Sequence, residues 1–515
     1  DETNLVTLTL RPDQTLGQKN AAAEQARLEA KLAAMDEQTL NTAKAHFEAF
    51  KLWQDTPDSD AQKATLPTLS VADVPAVPAP FITEAKTENG RSADFHPAHT
   101  AGLTFVRLYF DCGDLPFVSL PAFSFMRELL GQLPTKRRSV RELEQLSKRC
   151  VGWINYGVYM GTTQNADAIR CRLFTGFSAL PQKLPQAVAL IGEILTETLF
   201  TDKNKIKEIL TQRRDRLYRG ICASGSRYAG VRALAASNAE YAADDFVSGV
   251  GYYRWLKAFE ADFDARFNAF AAEAQAMLAR FCVSARLRVS ETADAFHSGV
   301  LDFYDVLPQG EAPKTEAIAA LFPEGARREA FLVPGSVSFA AMGADIRRLG
   351  YRFHGGMRVM ENILSYGYLW DEIRVRGGAY GCGCRVADAD TLRFTTFRDP
   401  SPLRSLDVFR NAAAWLADYC EGDSSIDNYI ISAVAESDPL RSASDWGIAA
   451  DTLKLRGKTE ADRIRARQET LSATKQSLRA LSVLLSAVAE TGSTCVIGCK
   501  EALAGLDDTW KVSEL

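Results

Sequence analysis

The chain has 515 residues, 46% of them hydrophobic, and its 60 basic and 65 acidic residues leave a formal net charge of −5. This length exceeds one hydrophobic core and predicts two or three domains, while the near-neutral charge favours neither a nucleic acid nor an anionic membrane as partner. No apolar run approaches a membrane span, and no targeting segment is visible, so we expect a soluble protein. The ten cysteines indicate free thiols in a reducing compartment, either the cytoplasm or an organelle lumen.

The first elements are a strand and two helices. Leu5 to Leu10 alternates apolar and polar residues, and we interpret residues 1–15 as the terminal strand of a preceding domain. Residues 16–65 are predicted to form a helical hairpin linker, because two stretches rich in Ala, Glu, Lys and Leu flank Asp36, a favourable helix cap. The unpaired opening strand favours a fragment of a longer polypeptide over a natural separate subunit, and both interpretations stay open.

Residues 66–310 and 311–515 are predicted to form two duplicated domains. Prolines from Leu66 to Pro80 favour an extended entry, and Leu307 to Pro313 indicates the boundary. Each block runs strand, helix, glycine turn, strand, proline and apolar helix, which predicts an α+β fold of two antiparallel sheets carrying helices on one face. The predicted elements are Leu103–Phe110, Phe123–Leu133, Ala168–Phe174 and Leu184–Phe200, then Val337–Gly343, His354–Tyr368, Leu392–Phe397 and Leu406–Tyr419.

The motifs of several hydrolase classes are missing. Helical zinc sites need two histidines one turn apart beside a glutamate, yet neither HExxH nor HxxEH occurs. Pro97 between His96 and His99 argues against a helix, so an exposed turn before a strand is favoured there over a metal site. Cys382 and Cys384 lack a second pair that would complete four ligands, and we interpret them as structural thiols. GxSxG, Walker A and GxGxxG motifs are also absent, which argues against serine hydrolysis and phosphate-binding loops.

A basic stretch from Lys203 to Arg219 is a second candidate for an interaction surface. Glu208 and Asp215 interrupt its positive charge, and apolar residues at helical spacing give it a buried face. A solvated amphipathic helix is therefore favoured over a nucleic-acid site.

The segment from Ser365 to Gly381 holds the densest set of candidate functional groups. It combines an aromatic helix end, Arg374 and Arg376, the pair Gly377–Gly378, and Tyr380. On residue types alone, a helix end, a glycine turn and a return strand is the plainer interpretation. The density of side-chain donors beside permissive backbone nevertheless indicates that something docks there.

The run from Tyr368 to Gly381 closely resembles the C-terminal signature of the presequence protease branch of the pitrilysin-like zinc metallopeptidases. The resemblance extends over essentially the whole chain. Its other matching segments are, in order, Leu5–Asp13, Gly17–Trp53, Leu66–Asp73, Glu436–Pro439, Leu455–Thr459 and Arg463–Leu471. It implies that 66–310 and 311–515 are the third and fourth pitrilysin-like domains.

The resemblance implies half of a peptidase. In that family two halves close around a chamber, and the N-terminal half holds zinc through HxxEH and a distal glutamate. The equivalent helix of this chain, near Leu120 to Leu133, carries Arg127 and Glu128 but no histidine. We therefore expect this chain to bind no metal and no cofactor, to be inactive alone, and to pair with a zinc-bearing half, either on the same polypeptide or as a separate subunit.

The resemblance also implies residue roles in degrading short unstructured peptides. Arg374 would bind substrate backbone carbonyls, and Tyr380 would donate a hydrogen bond to the oxyanion. The implied substrate-binding set is Arg374, Arg376, Gly377, Gly378 and Ala379. The alternative is a catalytically inactive, free-standing scaffold for peptide binding or assembly.

Overall fold

The computed structural model describes residues 4, 6–11, 13, 15–163, 167–322 and 328–515. The chain divides into two compact units, Asp1–Leu69 and Ser70–Leu515. The first unit contains the helices α1 (Leu16–Ala33), α2 (Glu37–Asp55) and α3 (Asp60–Lys63). The two long helices are confirmed, and Asp36 caps α2 by accepting a hydrogen bond from the Thr39 N–H at 2.7 Å.

The opening strand does not form. Val6 to Leu10 lie outside any strand, and the side chains of Val6, Leu8 and Leu10 are exposed. An extended segment becomes a stable strand only when a neighbour accepts its hydrogen bonds, and these residues have no strand beside them in the described part of the unit. Leu5, the first residue of the predicted strand, lies outside the described residues.

The second unit is built on two sheets. The first sheet contains, in spatial order, β1 (Glu84–Glu88), β2 (Arg91–Pro97), β6 (Leu287–Ala293), β3 (Thr104–Asp111), β5 (Ala168–Ala179) and β4 (Trp153–Thr162), with β7 (Ile318–Ala319) also paired to β5. The second contains β10 (Gly381–Ala387), β11 (Thr391–Phe397), β9 (Phe339–Asp345), β12 (Ser493–Gly498), β8 (Arg328–Leu332) and β13 (Lys511–Glu514). Because β7 joins the first sheet, that sheet extends past residue 310.

Helices cover these sheets. Those of the first block are α4 (Leu120–Leu129), α5 (Val140–Cys150), α6 (Leu184–Glu197), α7 (Lys203–Ala223), α8 (Gly225–Ala235), α9 (Ala239–Ser248), α10 (Val250–Ala261), α11 (Phe263–Phe281) and α12 (Phe303–Val306). Those of the second are α13 (Gly356–Asn362), a π-helix (Ile363–Val375), α14 (Pro402–Glu421), α15 (Asp427–Ser437), α16 (Ala443–Leu455), α17 (Glu460–Leu471), α18 (Lys475–Ala480) and α19 (Ser482–Thr491).

The predicted duplication is visible in the strand order. The order β4, β5, β3, β6, β2 in the first sheet matches β10, β11, β9, β12, β8 in the second. Among these five strands, corresponding pairs run in the same directions, and the parallel pair β2 with β6 corresponds to β8 with β12. The outer pairs differ, since β1 pairs antiparallel with β2 and β13 pairs parallel with β8. The α+β class is confirmed, but the sheets are mixed and not purely antiparallel. Long connections that contain helices allow such parallel neighbours, which a hairpin cannot join.

One helix of each repeat packs on the sheet of the other repeat, so the two repeats exchange helices. From the first repeat, α8 packs on the second sheet, where Arg232 donates to both carboxylate oxygens of Glu329 at 2.6 and 2.9 Å. Gly225 begins α8 against Phe339, since a Cβ atom there would lie 2.3 Å from the ring. From the second repeat, α16 packs on β2 and β6, and Gly447 allows close approach to Thr292. This exchange explains why Ser70–Leu515 forms one compact unit.

His96 corrects one prediction. It lies within β2 and is buried, not in an exposed turn, and its Nε2 atom lies 3.0 Å from Asp451 Oδ1 on α16. The same carboxylate accepts a hydrogen bond from the Tyr109 hydroxyl at 2.9 Å. The sequence concealed this role because the partner lies far away in the chain, on the exchanged helix. His99 is exposed, as predicted.

Candidate functional site

The candidate segment begins on a helix that changes its winding. The α13 helix continues without a break into the π-helix from Ile363 to Val375, a wider winding that often marks functional sites. Its buried side packs in the core of the second sheet. Tyr366, Trp370 and Arg374 follow at intervals of four residues, and Tyr366 and Trp370 are exposed. The π-helix therefore presents an aromatic and cationic stripe outside the core.

The glycine pair ends this helix. Gly378 has φ +77°, and its N–H donates to the Arg374 carbonyl at 3.0 Å. The Ala379 N–H donates to the Ile373 carbonyl at 3.1 Å, and the Ala379 side chain is buried. A Cβ atom on Gly377 would lie 2.5 Å from that carbonyl oxygen, so both glycines are required by the turn itself. The turn reverses the chain and delivers Tyr380 to the start of β10.

Arg374 and Tyr380 are brought together. The Arg374 guanidinium carbon lies 4.1 Å from the centroid of the Trp370 ring and 5.6 Å from that of Tyr380. Tyr380 is 64% exposed, and its ring meets Phe397 edge to face at 5.8 Å. Within the described parts of the chain, Arg374 forms no ion pair. Its N–H donors and the phenol are thus held in place by ring contacts and left available to a ligand.

Arg376 points elsewhere. It forms an ion pair with Glu372 one turn back on the helix, and the other oxygen of that carboxylate accepts from Arg404 at 3.2 Å. Arg404 also donates to the Glu372 carbonyl at 2.7 Å. Arg376 is exposed but engaged, so the structure does not bring it together with Arg374 and Tyr380.

Arg398 was missed by the sequence interpretation. Its guanidinium carbon lies 6.0 Å from the centroid of Tyr380 on the other strand of the hairpin, and its carbonyl accepts from the Tyr380 N–H at 3.3 Å. It has φ +49°, an uncommon backbone conformation for a residue other than glycine. The signal was present in the sequence as an arginine directly after a strand, in Phe397-Arg398-Asp399-Pro400.

Two other reactive side chains near the segment are structural. Burial raises the pKa of Tyr368 to about 12, and its hydroxyl donates to the Val408 carbonyl at 2.9 Å. Burial also raises the pKa of the Cys382 thiol to about 11, so it stays protonated near neutral pH. All ten cysteines are free thiols. Tyr366 and Tyr380 are therefore the exposed phenols of this segment, and Tyr380 is the one whose ring lies beside Arg374.

The strand that follows Tyr380 lies at the edge of its sheet. It pairs with β11 on one side, and on the other side two of its N–H groups are capped by side chains of the preceding helices. Cys384 N–H donates to Ser365 Oγ at 3.0 Å, and Val386 N–H donates to Glu361 Oε2 at 2.9 Å. These caps protect the far end of the edge, so the end next to Tyr380 is the more open one.

The helix predicted to replace a metal helix carries an internal charge cluster. On α4, Glu128 Oε1 lies 3.3 Å from an Arg127 nitrogen and 2.9 Å from Arg213 Nε, and accepts from the Tyr252 hydroxyl at 3.4 Å. Burial raises the pKa of Glu128, although the two arginines oppose it. Across the described ranges, no three His, Cys, Asp or Glu side chains are grouped to hold a metal ion. The residues present do not fit a zinc site.

The basic helix α7 is amphipathic, as predicted. Ile206, Ile209, Leu210 and Leu217 are buried along one side, and Arg213 pairs with Glu128. Among the helices that the structure describes, none has both the length and the apolar content needed to cross a membrane.

Comparison with protein families gives two matches in consecutive parts of the chain. Residues 10–259 match the model of a region associated with peptidase family M16, subgroup C, and residues 328–500 match the "PreP C-terminal domain". The candidate segment from Tyr366 to Tyr380 lies inside the second match.

Curated relatives cover nearly all of this chain. Protein HypA of Clostridium perfringens is 24% identical over 502 residues, covering 96% of this chain and 51% of the relative. Presequence protease 1 of Arabidopsis thaliana, chloroplastic/mitochondrial, is also 24% identical over 502 residues, covering 96% and 46%. The mitochondrial presequence protease of Saccharomyces cerevisiae is 25% identical over 468 residues, covering 87% and 46%. The chain spans about half the length of these relatives.

Solved structures share the fold. A conserved protein from Enterococcus faecalis superposes with a TM-score of 0.58 at 11% identity, covering 81% of this chain and 99% of that one. A peptidase M16 inactive domain from Pseudomonas fluorescens superposes with a TM-score of 0.52 at 14% identity, covering 81% and 98%.

Proposed function

We propose that this chain, which belongs to the presequence-protease-like group of the pitrilysin superfamily as its C-terminal half, completes the active site of a zinc endopeptidase for unstructured peptides. The observation that carries this proposal is the pairing of Arg374 with Tyr380: two accessible donors fixed beside an edge strand, with no acidic partner in the described chain. The proposed partner is an N-terminal half with the zinc site.

Each side chain has a separate task in this mechanism. Arg374 lies over the Trp370 ring, with its guanidinium carbon 4.1 Å from the ring centroid, and its N–H donors suit two peptide carbonyls of an extended substrate. Gly377 and Gly378 would act through the turn they form, which delivers Tyr380 to the start of β10. Binding at the open end of β10 would fix the scissile bond relative to Tyr380.

Tyr380 would stabilise the charge that develops during hydrolysis. When the carbonyl carbon becomes tetrahedral, its oxygen becomes negative, and a phenolic O–H directed at that oxygen strengthens its hydrogen bond as the charge grows. Such a donor contributes about 3 kcal/mol to the transition state. In this proposal the partner half would hold the metal and supply the general base and the attacking water.

Reconstitution tests the proposal. The chain is co-expressed with a zinc-bearing N-terminal half of the same family, and cleavage of a fluorogenic unstructured peptide is measured for the purified pair and for each half alone. We expect cleavage by the pair only. The matched control replaces the glutamate of the partner's HxxEH motif with glutamine and should abolish cleavage. A stable pair that cleaves no unfolded peptide would contradict the proposal and favour the scaffold alternative.

A further inference from the structure

A second region with unexplained chemistry is a cavity of about 960 Å³ between the two repeats of Ser70–Leu515. It is lined by residues of β5, α13, α16 and α17 and shares none with the segment from Tyr366 to Tyr380. Eight arginine or lysine side chains and five acidic ones line it. The volume is typical of a small-molecule site. Six of the eight cations lie within 3.1 Å of a carboxylate, which leaves Arg358 and Arg170 without a close counterion in the described part of the chain.

Most of the acidic side chains in the lining are already neutralised. Asp388 pairs with Arg456 at 2.7 Å and with Lys458 at 2.9 Å. Asp390 pairs with Arg352 at 3.0 Å. Asp462 pairs with Arg465 at 2.5 Å, and Glu469 accepts a hydrogen bond from the Gly355 N–H at 2.7 Å. These acids have little remaining capacity to neutralise further cations.

Arg358 on α13 is such a further cation. It is half-buried, its guanidinium carbon lies 5.2 Å from the centroid of Phe353, and it makes no ion pair or side-chain hydrogen bond within the described ranges. The two carboxylates that act on it most, Asp388 and Glu361, are bound more closely to other groups. Burial accordingly lowers the pKa of Arg358, with these carboxylates only partly opposing the shift. A desolvated charge without a close counterion is costly unless a ligand supplies one.

Arg170 on β5 is the second loosely compensated cation of the lining. Its nearest carboxylate, on Glu316, lies 3.9 Å away and is itself 86% exposed, so this pair contributes little. Gly457, at φ +66°, ends α16 next to it, and a Cβ atom on this glycine would lie 3.7 Å from Arg170 Nη1. The backbone of the exchanged helix thus forms the wall beside this guanidinium.

We propose that this cavity binds a small, multiply charged phosphate, of the size of pyrophosphate, through Arg358 and Arg170. A planar guanidinium donates two parallel hydrogen bonds to phosphate oxygens, and two guanidinia facing one cavity match an anion with more than one charge. A dicarboxylate could also pair one carboxylate with each guanidinium, but each carboxylate has two acceptor oxygens, fewer than each phosphate group. The proposal concerns this chain alone and does not depend on peptidase activity.

Calorimetric titration tests it directly. Sodium pyrophosphate is titrated into the full chain at physiological ionic strength, with inorganic phosphate and succinate as comparison ligands. We expect saturable binding of pyrophosphate, weaker binding of phosphate, and no comparable binding of succinate. Arg358→Gln should weaken pyrophosphate binding at least about tenfold, the loss of one charge-assisted hydrogen-bonding group. Arg410→Gln removes a partly exposed arginine of α14, outside the cavity lining, that pairs with Asp407, and it should leave binding unchanged.

Thermal unfolding provides the second measurement. Without ligand, Arg358→Gln should melt no lower than the wild type, because it removes a poorly compensated charge. Pyrophosphate should raise the midpoints of the wild type and of Arg410→Gln equally, and that of Arg358→Gln less. If Arg358→Gln does not fold, Arg170→Gln at its more accessible position gives the same comparison. No pyrophosphate binding by the wild type, unaltered binding by the Arg358 and Arg170 variants, or equal binding of succinate would each overturn the proposal.

Discussion

Between β3 and β4 of the first repeat lies Arg127, and between β9 and β10 of the second lies Arg374. Arg127 is largely buried, contacts Glu128 at 3.3 Å and donates to the Tyr156 carbonyl at 3.4 Å. Arg374 has no acidic partner in the described chain and lies against the rings of Trp370 and Tyr380. The same topology therefore carries a structural arginine in one repeat and an available one in the other.

In a duplicated fold, the partner of a charged side chain therefore distinguishes a structural charge from one that is available to a ligand. A cation that neutralises a buried carboxylate stabilises the fold, and its N–H donors are used within the chain. A cation placed over aromatic rings keeps its position without using its N–H groups, which remain available for a ligand. Four substitutions test this interpretation, beginning with the residue closest to the proposed chemistry.

Tyr380→Phe should have the largest effect. In the reconstituted enzyme it removes the proposed oxyanion donor but keeps the ring contacts with Arg374 and Phe397, so kcat should fall about 100-fold with little change in KM. Steady-state kinetics with one peptide substrate measures both constants. The matched control is Tyr366→Phe, which removes an exposed phenol of the π-helix and should retain the kcat of the wild type. An unchanged kcat in Tyr380→Phe contradicts the oxyanion role.

Arg374→Gln and Arg127→Gln should separate binding from stability. Arg374→Gln is expected to lower kcat/KM about tenfold, mainly through KM, and to leave the thermal midpoint unchanged because the side chain completes no buried charge. Arg127→Gln should do the reverse, since Glu128 would then keep only Arg213 as a close cation. Peptide kinetics and thermal unfolding on both variants give the comparison. A stability loss in Arg374→Gln equal to that in Arg127→Gln would remove the distinction.

The sequence predicted local features well and long-range ones poorly. The helices on either side of Asp36, the eight strands and helices predicted within the two repeats, and the amphipathic α7 follow from periodicity and capping, which depend on nearby residues. The resemblance carried by Tyr368 to Gly381 led to the family. The burial of His96 depends on Asp451 in an exchanged helix, and no local pattern encodes such a partner.

The site shows the same limit. The resemblance singled out Arg374 and Tyr380 on either side of a glycine pair, and the structure places the Arg374 guanidinium carbon 5.6 Å from the centroid of the Tyr380 ring. The sequence could not show that Arg376 turns back to Glu372, because that depends on where the helix ends. It also missed Arg398, which reaches Tyr380 only through the pairing of two strands. The catalytic and binding roles themselves stay predictions.

Asp114 of the first repeat gives the smallest expected effect, and it concerns pH. Burial raises the pKa of this carboxyl, but hydrogen bonds and charges of Arg286 and Arg280 outweigh burial and lower it to about 2 from an ordinary 3.8. The carboxylate is therefore favoured by folding. Its contribution to the free energy of unfolding is full above about pH 4 and is lost as the pH falls towards 2.

Asp114→Asn should remove this contribution. We expect the free energy of unfolding at pH 7 to fall by about 1 kcal/mol, after allowance for the exposed position of Arg280, and its decline between pH 4 and pH 2 to become shallower than in the wild type. Urea unfolding at a series of pH values measures both, with the exposed Asp508→Asn as control. If the free energy of unfolding fell equally steeply between pH 4 and pH 2 in Asp114→Asn and in the wild type, Arg280 and Arg286 would not stabilise the fold through Asp114. The contrast between structural arginines in the first repeat and Arg374 in the second would then be contradicted.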